Sequence, residues 1–217
     1  MPPSEPELST FLGRHAPLSE VPLCPGLFAF TASSLVEVWA AAEQLAGCVL
    51  PSPFWAFPWA GGVALARTVL DEPKRVRGRL VLDLGCGGGV ASFACATVGA
   101  RVVANDVDPW ALAVTRVAAL RQNLRVETLL YDFARQPEGI EAYDVVLCSE
   151  LAYDRTEAPL QRAALERAAR SGATVLLADS GRTYFDSEGL EKIAQYELQV
   201  PRDLEGVDVR TAGVYLL

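Results

Sequence analysis

From residue 79 onward, short apolar runs alternate with longer stretches in which apolar residues recur every three or four positions. "RLVLDL" (79–84), "RVVAND" (101–106), "RVETLLYD" (125–132), "YDVVLCSE" (143–150) and "ATVLLADS" (173–180) have strand length. The first is nearly all apolar, the mark of a strand covered on both faces. The stretches between them read as helices. "GVASFACATVG" (89–99) closes on Gly99, and "TEAPLQRAALERAARSG" (156–172) on Gly172. "DPWALAVTRVAALRQN" (108–123) has Asp108 as cap and Pro109 at its first position. A short helix over "SEGLEKIAQY" (187–196) follows, and "ELQVPRDL" with "VDVRTAGVYLL" forms a closing hairpin. Strands alternating with helices at this spacing predict a parallel sheet with helices on both faces. Such sheets bind ligands at the carboxyl ends of their strands, so the residues just after each strand matter most.

Upstream the pattern is looser. Residues 1–30 hold six of the fourteen prolines and show no clear period, so they read as an arm over the domain. "SSLVEVWAAAEQLAG" (33–47) is a helix capped by Ser33 or Ser34 and ended by Gly47, with Leu35, Val38, Trp39, Ala42 and Leu45 on its apolar face. "PSPFWAFPWAGG" (51–62) is a proline- and aromatic-rich loop, and "GVALARTVLDE" (62–72) a second helix. The division expected is an arm and helix over 1–50 packing on a ligand-binding domain over 51–217.

Composition narrows the function. With 217 residues, 51% hydrophobic and 21% charged, the chain suits one globular domain. Its net charge of -8 argues against a sequence-independent grip on nucleic acid and leaves room for a cationic substrate. The five cysteines form no C-x-x-C, the single histidine is His15, and no metal spacing can be assembled from them. Free thiols, an acidic and proline-rich start unlike a signal peptide, and no apolar run of about 18 residues predict a cytoplasmic protein away from membranes.

The chemistry begins at "VLDLGCGGGV" (81–90), where a strand meets a loop with four glycines. A dinucleotide site needs G-x-G-x-x-G, and Val90 stands where the third glycine should fall. D-x-G-x-G-x-G fits in full: Asp83, Gly85, Gly87 and Gly89, with Cys86 between the first two glycines. Asp106 ends the second strand, where an acid accepts ribose hydroxyls. Asp132 ends the third, followed by Phe133. A glycine-rich turn for another nucleotide is the competing reading, and the three acids in register weigh against it.

This segment resembles the first motif of the seven-strand S-adenosylmethionine-dependent methyltransferases. The resemblance implies a Rossmann-like, doubly wound α/β sheet of seven strands, mostly parallel with a C-terminal antiparallel hairpin. It also implies roles: Asp83 toward the methionine ammonium, Asp106 on the ribose, and the Asp132–Phe133 turn at adenine. Over roughly residues 30–217, "PFWAFPWAGG", "ANDVDPWAL", "YDVVLCSELAYD" and "LLADSGRTYF" look like the electron transfer flavoprotein beta-subunit lysine methyltransferases. Carried over by position, Trp59 lies beside the cofactor, Glu150 and Tyr153 form an acid-x-x-aromatic pair at the acceptor, and Asp154 and Arg182 belong to the substrate side. The chain departs from that pattern where Ser180 replaces a proline and Ala152 an aromatic in the expected substrate channel. The implied partner is a protein with an accessible lysine, such as electron transfer flavoprotein beta subunit. A small-molecule N-methyltransferase and a cofactor-binding interaction protein stay open as alternatives. So do plainer roles: Asp154 as a helix cap, Arg182 in an ion pair, Trp59 and Tyr153 as packing aromatics.

Overall fold

The chain enters through a helix, α1 (Glu5–His15), where the arm was expected to be irregular. Its start is a capping box, with the Ser4 N–H donating to Glu7 Oε2 at 3.1 Å. Leu8, Phe11 and Leu12 bury one stripe of it. The Phe11 ring meets Trp110 and Trp55 edge-on, and those two indoles stack at 6.0 Å. A small hairpin follows, β1 (Leu18–Glu20) against β2 (Phe28–Phe30). Then comes α2 (Leu35–Ala46), capped by Ser34 and ended by Gly47 in the left-handed conformation. Val38 and Ala42 are buried, whereas Leu45, expected on the same face, is 40% exposed. The computed structural model describes residues 1–217.

After a 3₁₀ turn over Phe54–Ala56, helix α3 (Ala60–Asp71) leads to the alternating region. There β3 (Leu80–Leu84), α4 (Val90–Thr97), β4 (Arg101–Asp106), α5 (Pro109–Arg121), β5 (Glu127–Leu130), β6 (Val145–Ser149), α6 (Glu157–Arg170) and β7 (Thr174–Asp179) follow the predicted order. β5 is shorter than its apolar run. The chain closes with β8 (Glu191–Gln199), a turn of helix α7 (Arg202–Glu205) and β9 (Val209–Leu216). The sheet has seven strands in the order β5-β4-β3-β6-β7-β9-β8. β3 to β7 are parallel, and β9 runs antiparallel to both β7 and β8.

The helix expected over 187–196 is a correction: Glu191–Gln199 is strand β8. Most of its residues are good helix formers, and pairing with β9 from Glu191↔Leu216 to Gln199↔Val209 overrides that preference. Tyr196 reaches back to α3, its hydroxyl 3.3 Å from Thr68 Oγ1 and 3.3 Å from Asp71 Oδ2.

The sheet sorts its side chains by alternation. Val81, Val145, Leu147 and Leu176 point into one core with α3, α4, α5 and the N-terminal segment. Leu82, Leu84, Val146, Val175 and Leu177 point to the other side, where α6 supplies Ala164, Leu165 and Ala168. Register then fixes where the strands stop. Leu84 pairs with Asn105 on one side and Cys148 on the other, so the loops after β3, β4 and β6 emerge together at one edge.

The N-terminal hairpin is held to α5 by Gln122. Its Oε1 accepts the Phe28 N–H at 2.8 Å and its Nε2 donates to the Phe28 carbonyl at 2.9 Å. Gln122→Ala is expected to lower stability by about 1–2 kcal/mol, the worth of two ordinary hydrogen bonds. Limited proteolysis should then cut first within residues 1–30, while the sheet stays protected.

Candidate active site

At the shared strand edge lies a cavity of about 570 Å³. The loop after β3 forms one wall. Gly85, Gly87 and Gly89 have φ of +69°, +52° and +83°, a region side chains disfavour. The loop is pinned from below: the Cys86 N–H donates to the Asn105 carbonyl and the Gly87 N–H to Asp106 Oδ2, both at 2.9 Å. Gly85, Cys86 and Gly87 line the cavity. Gly89 does not; it turns the chain into α4, where a Cβ would come 2.6 Å from the Phe93 ring.

The strand-end acids converge on this space, each in a different environment. Asp83 is 2% exposed and accepts the Ser92 hydroxyl at 2.6 Å; burial pushes its carboxyl up to about 6. Asp106 takes the Gly87 N–H on one oxygen and the Asp108 N–H, at 2.9 Å, on the other. Burial outweighs those amides and holds it above the ordinary carboxylate range. Burial also works on Asp132, but hydrogen bonds and the charge of Arg135 win and hold its carboxyl low. Phe133 is buried against Tyr131 and lines the cavity beside it. Asn105, which the sequence reading passed over, donates to the Leu129 and Tyr131 carbonyls and so fixes the turn that carries Asp132.

The opposite wall is built around Glu150. Its φ is +57° and it is only 8% exposed. Oε1 accepts the Gly61 N–H at 2.6 Å, so the carboxylate sits at the N-terminus of α3. A Cβ at Gly61 would lie 2.7 Å from that oxygen, so only glycine permits the contact. Oε2 pairs with Arg182, whose guanidinium also reaches Glu205 at 3.4 Å and lies 5.3 Å from the Trp59 ring centre. Arg210 binds Glu205 from the far side at 3.2 Å. Burial pushes the Glu150 carboxyl up, the Arg182 charge pulls it back, and nearby Asp179 adds to the rise. Trp59 is fixed by its indole N–H, which donates to the Phe54 carbonyl at 2.7 Å. Tyr153 stands 52% exposed at the rim, its ring 5.5 Å from that of Phe54.

The structure thus brings together around one cavity Trp59, Asp83, Asp106, Asp132, Phe133, Glu150, Tyr153 and Arg182. It does not bring Asp154 there. One Asp154 oxygen accepts the Thr156 and Glu157 N–H groups at 2.7 and 3.1 Å, so the side chain serves the first turn of α6. Gly61, Ser92, Asn105, Arg135 and Glu205 escaped the sequence reading. Gly61 alone had a visible signal, a glycine at the start of a helix following the aromatic block.

The raised carboxyl of Asp83 has a sign that can be tested. Its folded value of about 6 exceeds its unfolded value, so folding favours the protonated form. Stability from this group is therefore present at low pH and lost as pH rises from about 4 through about 6, by up to roughly 3 kcal/mol. Asp83→Asn keeps the shape and removes the charge. Its melting temperature should exceed that of the wild type at pH 8 and converge with it near pH 4. Parallel curves at all pH values would contradict the assignment.

Comparison with known proteins places the chain among methyltransferases. The pattern of a methyltransferase domain matches residues 81–173. Electron transfer flavoprotein beta subunit lysine methyltransferase of Xenopus laevis is 35% identical over 198 residues, covering 87% of this chain and 78% of that protein. Its Homo sapiens counterpart is 32% identical over 170 residues, covering 75% and 64%. Among solved structures, the Pyrococcus abyssi tRNA (uracil-54, C5)-methyltransferase in complex with S-adenosyl-L-homocysteine aligns with a TM-score of 0.54 at 18% identity, over 72% of this chain and 38% of that one. Magnesium protoporphyrin IX methyltransferase from Synechocystis with bound SAM aligns at 0.50 and 20% identity, over 71% and 80%. Both show the Rossmann-like fold. On the match to the Xenopus enzyme, the chain belongs to the electron transfer flavoprotein beta subunit lysine methyltransferases, and it is an S-adenosylmethionine-dependent methyltransferase.

Proposed function

We propose that the protein transfers a methyl group from S-adenosylmethionine to a lysine of electron transfer flavoprotein beta subunit. The observation that carries this is the sharing of one cavity by the acids that end β3 and β4, the Asp132 turn just past β5 and Glu150 just past β6. The first three suit a cofactor, and the fourth suits what receives from it. The relatives' names supply the protein substrate.

The residues fit the cofactor. About 570 Å³ is within the range of small-molecule sites, and the glycine loop leaves its backbone open to the cavity. Asp83 would hold the methionine ammonium, Asp106 the ribose hydroxyls, and Asp132 with Phe133 the adenine, with Trp59 alongside. When bound, S-adenosylmethionine supplies a sulfonium methyl, so the acceptor's lone pair forms the C–N bond while the C–S electron pair stays with sulfur.

The protein's remaining task is alignment. An unperturbed lysine needs about 5 kcal/mol to shed its proton at pH 7. Glu150 attracts the cationic side chain but opposes its deprotonation, whereas Tyr153 and Trp59 offer ring faces that also attract the cation and apolar walls whose desolvation favours the neutral amine. Glu150 and Tyr153 are therefore positioning groups, with Arg182 holding Glu150 in place. The net charge of -8 supports a cationic acceptor over nucleic acid. The five unpaired cysteines support a cytoplasmic setting, and no helix is long and apolar enough to cross a membrane.

Two experiments test this reading. Asp106→Asn would set an amide donor against the Gly87 or Asp108 N–H and remove a charged acceptor. Calorimetry should show cofactor binding weakened by about 1.5–3 kcal/mol; unchanged affinity would take Asp106 away from the ribose. Incubated with purified electron transfer flavoprotein beta subunit and cofactor, the wild type should add mass in methyl steps to lysine. Glu150→Gln should slow that turnover by a factor on the order of 10² while cofactor affinity stays close to wild type. Normal turnover by this variant would move the acceptor elsewhere.

A further inference from the structure

A second cavity, of about 510 Å³, lies on the α6 side of the sheet edge. It meets the first at Glu150, Leu151 and Gln161, which line both. Its floor is Cys148 and Leu177, near the ends of β6 and β7, and Ala158 on the first turn of α6 forms one side. The other side is Tyr184 and Phe185, tied across by the Tyr184 N–H, which donates to the Ala152 carbonyl at 3.1 Å.

One lining residue is left incomplete. Asp179 is 4% exposed, and its Oδ1 accepts the Gly181 and Arg182 N–H groups at 2.7 Å each. Its Oδ2 is buried with no hydrogen-bond partner. A buried carboxylate oxygen without a donor is costly and calls for an explanation. The surrounding charges do not supply one. Arg182 is shared between Glu150 and Glu205, and Arg210 is spent on Glu205, so three acids face two guanidinium groups. A cation arriving at this end would complete the set.

In-line displacement places the acceptor opposite the leaving sulfur, so acceptor and cofactor need different approaches to the methyl. The first cavity is the cofactor's. We propose that the acceptor lysine enters through the second cavity, its methylene stem along the apolar walls, its nitrogen arriving at the Glu150–Leu151 junction with Asp179 as the charge that draws it in. This rests on the lysine reading above. Two arginines line the same cavity without opposing it. Arg162 is held by Glu166 and by the Asp186 and Glu188 carbonyls, and Arg155 stands exposed at the rim, where it suits an acidic neighbour of the lysine.

Two variants separate this entrance from the open rim at Tyr153. Ala158→Phe fills the second cavity from the α6 side, and Asp179→Asn removes the charge while keeping the shape. Each should bind S-adenosylmethionine with wild-type affinity in calorimetry, which also reports that the variant is folded. Ala158→Phe should lower kcat/KM for the protein acceptor by about tenfold or more, and Asp179→Asn should raise KM for the acceptor more than it lowers kcat. Wild-type kinetics in both folded variants would overturn the entrance and leave lysine methylation standing. A wild-type enzyme that methylates no lysine would overturn both.

Discussion

Glu150 is a carboxylate in a wall where water cannot reach most of it, and the site exists because two donors meet it there. One is the Gly61 N–H at the start of α3; the other is Arg182, just past β7. The demand spreads outward. Position 61 must be glycine, residue 150 must accept a φ of +57°, and Arg182 must be held by Glu205, itself held by Arg210 on β9. The C-terminal hairpin is thereby more than the edge of the sheet. Stripping one partner from a buried ion pair typically costs about 3–5 kcal/mol, enough to make this network decisive for a domain of this size.

The half of the cavity proposed for the cofactor follows a different rule. Asp83, Asp106 and Asp132 sit at or just past the ends of three neighbouring strands, yet their charges are handled separately. Burial raises the first two, while Arg135 holds the third low. Asp83 and Asp106 are buried with few positive partners, which is why both carboxyls stand above the ordinary range. In the proposed complex Asp83 gains the methionine ammonium and Asp106 the ribose hydroxyls, and each contact offsets part of the cost of burying a carboxylate.

Much of this was legible in the chain. The apolar runs of β3, β6 and β7 and the glycine loop report their own positions, because strand ends in a parallel sheet are marked by the switch from branched residues to glycine and acid. α1 was equally legible in Ser4, Glu7 and the Leu8–Phe11–Leu12 spacing, but six prolines nearby obscured it. β8 was not legible: its identity depends on β9, across a turn, and not on its own residues. Nor was the Glu150 network, whose partners lie 32 and 89 residues away. Asp154, by contrast, carried two readings from the start, and the backbone amides of α6 decided between them.

In the proposed complex, one cavity seats the cofactor with its reacting end turned toward the Glu150–Tyr153 segment. The most direct test is a crystal structure with S-adenosylhomocysteine bound. The ribose hydroxyls should lie on Asp106, the amino-acid tail at the glycine loop and Asp83, and the sulfur facing Glu150. Adenosine bound away from Asp106, or a sulfur directed away from the β6 edge, would contradict it.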